Sequence, residues 1–299
     1  MPTVVGKCAL CGQNKELIES HVIPRTVIQW MKVNSGTGRL RRASEPNKPL
    51  QDGVKDNLMC ADCDGGLLGP KEKRFMETIF RPHHQDKNAV LTYDADLLYF
   101  AASLAFRVIV LEKAWHTSRA GVDFRDFDVP LKYLQRFLLG LTRSSDGLEH
   151  YITLTSSMED IISVYHTSDG MRMEQGLPGS LGFDLMRGFD SVALPLKGHL
   201  VTFVKLPGFL FVTVLKPRRY HGSLGTRISS LGGTLTLDPD QLLNSDLLGF
   251  LEARSRRLDA IAMSEAQAAK VEQMIENNPE RWKDSASARL LHLLKRSDR

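Results

Sequence analysis

Four cysteines, arranged as two pairs with the same spacing, are the residues whose type and position most clearly indicate chemistry. Cys8 pairs with Cys11 and Cys60 with Cys63, each time across two intervening residues, and the sequence contains no other cysteine. Thiolates with this spacing can both bind one Zn²⁺ at about 2.3 Å, and two such pairs complete a closed, tetrahedral, structural site. We therefore predict a structural zinc site. Redox-active pairs or disulfides are the alternative.

The segment between the two pairs is long for a zinc ribbon. Compact ribbons have roughly 15–20 residues between their pairs, whereas 48 residues separate Cys11 from Cys60. Residues 19–25 of this insertion read Glu-Ser-His-Val-Ile-Pro-Arg. A histidine, here His21, followed by two apolar residues and a proline between two zinc knuckles resembles the HNH nuclease family and its treble-clef, ββα-metal core. The resemblance covers about residues 5–80, or about a quarter of the chain.

The resemblance implies an endonuclease that hydrolyses DNA phosphodiesters with one divalent cation, Mg²⁺ or Mn²⁺. In that family the cation neutralises charge on the scissile phosphate and leaving oxygen, while a histidine activates water. His21 stands in the general-base position, and imidazole suits that role at neutral pH. The alternative is a structural histidine in a small core.

The resemblance also indicates which residues would bind the catalytic cation. Asp64 directly follows the last cysteine, where the family often has a histidine, and a carboxylate is an acceptable ligand for Mg²⁺ or Mn²⁺. A helix N-cap is the competing role for Asp64. Asn57 lies two residues from the usual asparagine position, which keeps the same strand face. Ser20 replaces a metal-binding Asp or His, so Glu19 is a further candidate if the strand bends.

Glu72 is the remaining carboxylate of interest in this region. It lies about two turns beyond Asp64 on a predicted helix, and a rise of about 1.5 Å per residue separates them by about 12 Å. We therefore expect the two carboxylates to lie too far apart to share one ion directly. Instead, we expect a surface ion pair between Glu72 and Lys71 or Lys73.

The insertion is basic, although the whole chain carries a net charge of only +4. Clustered basic side chains attract phosphates through Coulomb energy and counterion release, so the expected partner is a nucleic acid, namely DNA. A solvated loop on a slightly basic protein is the alternative. The candidate nucleic-acid-binding residues are Arg25, Arg39, Arg41, Arg42 and Lys48.

The apolar pattern predicts an α+β protein with a Cys₄ zinc treble clef in residues 1–82. Pro82 is expected to end the helix that follows the second cysteine pair, and residues 81–88 to form a polar linker. Residues 83–299 form a second region of unknown role. Its predicted parts are a helical segment (94–145), a β-rich segment with an antiparallel meander (149–237) and C-terminal helices (238–299).

Capping and turn residues refine this prediction. Asp94 or Asp96 can cap a helix over about 95–115, and Ser264 fits a capping box. Glycine-containing joints at 197–198 and 207–208 separate apolar runs as hairpin turns do, and further segments can add to the meander. These segments are 161–165, as a strand or a helix, and 234–237, as an edge strand.

Composition excludes several classes of protein. The longest apolar stretch, 97–111, is broken by Ser103 and Arg107 and is too short and polar to span a bilayer, so we expect no membrane association. Residues 1–10 lack the features of a secretion signal, and reduced, metal-bound cysteines fit the cytoplasm. Whether the protein has a protein partner or forms a homo-oligomer is not readable from the sequence.

Two functions of different classes follow. The first is an HNH-like endonuclease, for which bacterial defence against foreign DNA is a suitable role. The second is an inactive, zinc-stabilised module that binds nucleic acid or protein, which Ser20 and the displaced Asn57 keep open. A third hypothesis assigns the main function to residues 83–299, where the sequence identifies no chemistry.

Overall fold

The computed structural model describes residues 4–116, 122–143, 147–155, 181, 185, 187–215, 220–238, 241–242, 244–259 and 261–289. Over these residues the protein combines antiparallel sheets with helices, which confirms the α+β class. The larger apolar core includes residues from the cysteine-containing sheet, the central helices and the β-rich region. The N-terminal module therefore packs against the rest of the chain.

Three antiparallel strands form the N-terminal sheet that carries the cysteines. They are β1 (Val4–Lys7), β2 (Asn14–His21) and β5 (Lys55–Cys60), in the order β1-β2-β5. A tight turn between β1 and β2 contains the first cysteine pair. Gly12 in this turn has φ = 72°, a backbone conformation that glycine adopts without steric cost.

The insertion between β2 and β5 forms one helix and one hairpin. Helix α1 (Arg25–Val33) buries Val27, Ile28 and Met31. Strands β3 (Leu40–Arg42) and β4 (Glu45–Leu50) pair as a separate two-stranded antiparallel sheet, so the basic segment lies on a hairpin.

Two arginines from distant parts of the chain bind the carbonyl end of α1. Arg187 Nη2 donates to the carbonyl of Met31 at 3.3 Å. Arg281 donates to the carbonyls of Lys32 at 2.9 Å and Ser35 at 3.0 Å. The last carbonyls of a helix lack intrahelical partners and carry partial negative charge, so cations stabilise them. These contacts tie α1 to the C-terminal region.

A continuous helical run, α2, follows the second cysteine pair over residues 62–85. Its segments alternate between wide π-helical turns and regular α-helical turns, in the order Asp62–Leu68, Gly69–Phe75, Met76–Phe80 and Arg81–Gln85. The predicted helix end at Pro82 is therefore wrong, and so is the predicted linker over 81–85, whereas residues 86–88 are non-helical. The wide turn before Pro82 relaxes the contact between the proline ring and the preceding carbonyls that breaks a regular helix.

Helix α3 (Ala95–Trp115) lies at the centre of the core, with the bounds that the sequence predicted. The side chain of Asp94 accepts a hydrogen bond from the backbone N–H of Asp96 at 2.9 Å, so Asp94 is the N-cap. Nearly all residues over 97–111 are buried, and the helix packs against α2 and the β-rich region. Among the described residues, no helix has the length and apolar character needed to cross a membrane.

The predicted meander belongs to a five-stranded antiparallel sheet. Its strands are β7 (Glu149–Leu154), β8 (Asp190–Leu196), β9 (His199–Leu206), β10 (Phe209–Val214) and β11 (Thr226–Arg227), in the order β11-β7-β10-β9-β8. The turns at 197–198 and 207–208 join β8 to β9 and β9 to β10, as predicted.

Two further predictions about this region have different outcomes. The edge strand expected at 234–237 is wrong in its partner, because β12 (Gly233–Leu235) pairs with β6 (Leu91–Tyr93) outside the five-stranded sheet. The segment 161–165 lies outside the described residues.

The other helices named here precede or follow this sheet along the chain. Helix α4 (Asp128–Leu138) packs beside α3. The C-terminal helices are α5 (Leu248–Asp259), α6 (Glu265–Glu276) and α7 (Pro279–Lys283). Ser264 is the N-cap of α6, but its side chain makes no capping hydrogen bond, so the predicted capping box is only partly correct.

We expect Phe100→Ala to lower the free energy of unfolding by about 3–5 kcal/mol. Phe100 of α3 is fully buried and stacks on Phe75 of α2 with ring centroids 4.1 Å apart, so truncation leaves a cavity between the helices. Denaturant unfolding followed by circular dichroism measures the change. Leu141→Ala, at a side chain that is 68% exposed, is the control. A loss no larger than in the control would contradict this packing.

Candidate metal centre and the polar site beside it

The four cysteine side chains meet where three backbone segments come together. Cys8 and Cys11 lie in the turn between β1 and β2, Cys60 ends β5, and Cys63 lies in the first turn of α2. Their sulfur atoms all lie within 4.8 Å of one another. Within the described ranges, no other group of three or more His, Cys, Asp or Glu side chains converges so closely. This cluster is compatible with a structural metal such as zinc.

The electrostatics of the cluster also fit a cation. All four thiols are free, and the backbone N–H of Cys60 donates to Cys8 Sγ at 3.4 Å. Burial acts to raise the pKa of Cys8, but backbone hydrogen bonds lower it to about 7. Burial raises the pKa of both Cys11 and Cys63. The protein alone therefore favours ionisation of Cys8 over these two thiols, whereas a bound cation would deprotonate its thiol ligands.

His21, the last residue of β2, faces a carboxylate that the sequence analysis did not identify. His21 Nε2 lies 3.0 Å from Asp52 Oδ2, and Lys55 Nζ lies 3.6 Å from the same oxygen. Burial acts to raise the pKa of Asp52, but His21, the backbone N–H of Gly53 and Lys55 together lower it. Asp52 is therefore an anion at neutral pH. The 3.0 Å separation is an ion-pair distance without hydrogen-bond geometry, because His21 Nε2 has no hydrogen-bond partner among the described residues.

An irregularity in strand pairing determines which side chains share a face with His21. The register between β2 and β5 shifts just before Glu19, which then lies opposite Asn57. His21 lies opposite Lys55. Directly opposite residues project to the same face of a sheet, so Glu19 and Asn57 share the face of His21. Ser20 is fully buried, and the carboxylate of Glu19 pairs with Lys55 at 2.6 Å.

Asp64 and Glu72 converge on one side chain, Arg107 of α3. Arg107 Nη2 lies 3.0 Å from Asp64 Oδ1 and 2.5 Å from Glu72 Oε1. The expected pairing of Glu72 with Lys71 or Lys73 is therefore wrong. Both carboxylates reach the same guanidinium nitrogen because their side chains bridge part of the distance along the helix. The expectation that they lie too far apart to share one metal ion directly stays a prediction.

Asp64 does not cap α2, so the competing role considered from the sequence is wrong. The first segment begins at Asp62 with Ala61 at the cap position, and no side chain forms a capping hydrogen bond there. Arg107 is the residue that sequence reasoning missed. Its signal was the one charged residue in the stretch 97–111, where a fully buried cation requires a partner.

The environment of Glu72 combines burial with charges of both signs. Burial raises the pKa of Glu72, the positive charge of Arg107 lowers it, and the negative charge of Asp64 adds to the increase. The charge of His21 contributes a smaller lowering of the same pKa. Direct contacts join Asp64, Glu72 and Arg107, whereas the contact of His21 is with Asp52.

The predicted nucleic-acid-binding residues lie mostly on the hairpin of β3 and β4. Arg41 is partly buried and donates to a backbone carbonyl within the hairpin at 3.2 Å. Glu45 pairs with Lys48 at 3.1 Å and with Arg42 at 3.8 Å, which neutralises part of the positive charge. The exposed candidates are Arg39, Arg42 and Lys48 on or beside the hairpin, and Arg25 at the start of α1.

Comparison with known proteins gave no match. The chain matches no protein-family model, no curated protein and no solved structure. We therefore infer function from the geometry of the described residues.

We expect the purified protein to hold one zinc ion per chain and Cys63→Ser to lose it. Zinc loss removes the tie between the β1–β2 turn, β5 and α2, so the melting temperature should fall by about 10 °C or more. Mass spectrometry of the metal content and thermal circular dichroism measure both effects. Lys15→Gln is the control, because Lys15 pairs with Asp62 beside the cluster at 2.9 Å and is not a ligand.

Zinc at well under one ion per chain in freshly purified wild-type protein would contradict this metal assignment.

Proposed function

We propose that residues 4–82 form an HNH-like treble clef and that the protein is a metal-dependent endonuclease acting on DNA. The order of elements supports the treble clef, since a cysteine-containing hairpin turn is followed by a strand that leads through the second pair into a helix. The observation that carries the catalytic proposal is the position of His21, whose Nε2 lies 3.0 Å from Asp52 Oδ2 at the end of β2.

In this proposal His21 is the general base. Asp52 faces Nε2, and Nδ1 accepts a proton from the water whose oxygen attacks phosphorus. The bond between phosphorus and the leaving oxygen breaks, and that oxygen takes up a proton from solvent water. When bound, Mg²⁺ or Mn²⁺ would neutralise charge on the phosphate. Asp64 would hold the cation, with Asn57 on the same sheet face as His21.

The β3–β4 hairpin would position the DNA backbone in this proposal. Three exposed cations, Arg39, Arg42 and Lys48, can contact phosphates, and Arg41 stabilises the hairpin from within. Reduced cysteines fit a cytoplasmic location, and defence against foreign DNA is a role consistent with such an activity.

A second candidate function is a zinc-stabilised module that binds nucleic acid or protein without cleaving it. Two observations favour it. Ser20 is fully buried with its hydroxyl directed to the carbonyl of Ile18 at 3.4 Å, so it is not available as a metal ligand. Asp64 is already paired with Arg107. A DNA-binding module of this kind would share salt-dependent DNA binding with the endonuclease and would lack cleavage.

We expect wild-type protein to nick supercoiled plasmid in the presence of Mg²⁺ or Mn²⁺, and His21→Ala to be slower by about 10²–10⁴-fold. The substitution removes the proposed base and no zinc ligand, so zinc content should stay unchanged. His221→Ala, at an exposed histidine in the C-terminal region, is the matched control. Equal nicking by His21→Ala and wild type would refute the role of His21, and no cleavage by wild type would favour the binding module.

We expect a triple Arg39→Gln, Arg42→Gln, Lys48→Gln variant to bind DNA more weakly. Each lost phosphate contact should reduce the slope of log affinity against log salt concentration by about 1. Fluorescence anisotropy over a salt series measures this slope. A triple Gln variant of three exposed cations elsewhere serves as the control, at Lys73, Arg125 and Lys132. An unchanged slope in the hairpin variant would exclude the hairpin from the interface.

A further inference from the structure

We propose that a cavity between α3 and the five-stranded sheet binds a small organic acid with an apolar body, and that His150 and Arg227 bind its carboxylate. The proposal does not depend on endonuclease activity, because the residues that line the cavity all lie beyond residue 82. It gives that region a ligand-binding task, where the sequence identified no chemistry.

The size and lining of the cavity are the first observation. Its volume is about 320 Å³, at the lower end of the range of about 300–1,000 Å³ for small-molecule sites. Leu98 of α3 lines one side, and Leu148 and Ile228 line the sheet side. The other lining residues are polar. An apolar cavity with a few polar groups suits a small ligand that has an apolar body and one polar end.

The direction of the His150 side chain is the second observation. His150 of β7 lies directly opposite Thr213 of β10, and its Nδ1 lies 2.8 Å from Thr213 Oγ1, so the two side chains share one face of the sheet. Phe211 lies on the same face as Thr213 and contacts Phe100 of α3, with ring centroids 5.6 Å apart. The imidazole therefore projects toward α3, where the cavity lies. Nε2 is at the end of the ring that is remote from the strand.

The unpaired nitrogen of His150 is the third observation. The residue is 1% exposed, and its Nε2 has no hydrogen-bond partner among the described residues. Burial lowers the pKa of His150 to about 3, so the imidazole is neutral at pH 7. An unpaired polar atom in this position is unfavourable, and a ligand that forms a hydrogen bond to it offsets that cost. In the proposed complex Thr213 donates to Nδ1, so that Nε2 carries the ring proton and donates to the ligand.

Arg227 of β11 supplies a positive charge at the exposed end of the cavity. Its side chain is 63% exposed, and its Nη2 lies 3.2 Å from Glu149 Oε1. The other oxygen of Glu149 accepts a hydrogen bond from Tyr151 Oη at 3.0 Å. A guanidinium has five N–H donors, so Arg227 can keep this ion pair and still bind a carboxylate of the ligand.

Two serines in the turn after β11 add hydroxyl groups to the lining, namely Ser229 and Ser230. Ser229 Oγ accepts a hydrogen bond from the backbone N–H of Leu231 at 3.0 Å, so its own hydrogen can still donate. The backbone N–H of Ser229 donates to Tyr93 Oη at 3.2 Å, which holds the turn against β6. The polar lining is therefore rich in donors, which favours a ligand with acceptor oxygens.

The charges near the cavity favour a carboxylate over a phosphate monoester. His150 is neutral, and the positive charge of Arg227 is partly compensated by Glu149. A doubly charged phosphate would keep uncompensated negative charge in a partly buried site, which is unfavourable. A carboxylate has one negative charge and two oxygens, one for His150 and one for Arg227.

The test uses benzoate as the probe and isothermal titration calorimetry of the full chain as the measurement. We expect wild type to bind benzoate with a dissociation constant of about 1 mM or tighter. Benzyl alcohol, which lacks the charge, and phenyl phosphate should each bind about tenfold more weakly or worse. Equal binding of benzyl alcohol would overturn the role of the carboxylate, and tighter binding of phenyl phosphate would overturn the choice of acid.

Two substitutions test the residues that bind the carboxylate. We expect His150→Phe, which keeps an aromatic ring and removes Nε2, and Arg227→Gln each to weaken benzoate binding about tenfold or more. Arg125→Gln is the control for Arg227→Gln, because Arg125 is 88% exposed, pairs with Asp123 at 2.7 Å and does not line the cavity. Wild-type affinity for benzoate in both variants would overturn the proposal.

A second measurement uses the unmodified protein in case His150→Phe does not fold. In protein with ¹⁵N-labelled histidine, benzoate should shift the Nε2 resonance of His150 by forming a hydrogen bond to this nitrogen. An unchanged resonance at about 10 mM benzoate, together with no heat of binding, would leave water as the only partner of Nε2 and would overturn the site.

Discussion

The convergence of the four cysteines fixes where α2 begins relative to the N-terminal sheet, and the candidate site depends on this constraint. Cys60 ends the strand that pairs with β2, and Cys63 lies in the first turn of the helix, so strand and helix are held at a defined junction. From that junction β2 carries His21 and α2 carries Asp64 and Glu72. Arg107 adds a second, ionic connection between α2 and the central helix.

Much of the fold was predictable because local sequence signals agreed with tertiary packing. The apolar run bounded by Asp94 defined α3, and the glycine-containing joints defined the turns of the meander. The prediction failed at Pro82. The rule that proline ends a helix holds for regular α-helical turns, and the turn before Pro82 is wider. This wide turn depends on packing against the rest of the chain, and so does the burial of the His83 side chain. Local sequence patterns do not show such packing.

The candidate site was predictable only where residue type and spacing carried the information. The cysteine pairs were identified by their spacing, and His21 and Asp64 by a resemblance that covers a quarter of the chain. Asp52 and Arg107 reach the site through a loop and a distant helix, so no short-range pattern could indicate them. In the sequence, Arg107 was visible only as the one charged residue in a mostly apolar stretch. The structure explains this residue as the cation of two buried ion pairs.

The measurement that tests the central claim most directly is anomalous X-ray diffraction from crystals of the zinc-loaded protein soaked in Mn²⁺. Data collected at the zinc and manganese edges distinguish the two metals in one crystal. The account predicts a zinc peak among the four cysteine sulfurs, at about 2.3 Å from each, and a manganese peak against Asp64 within reach of the water that His21 would activate. A zinc peak alone, with no manganese beside His21, would contradict the proposed catalytic site.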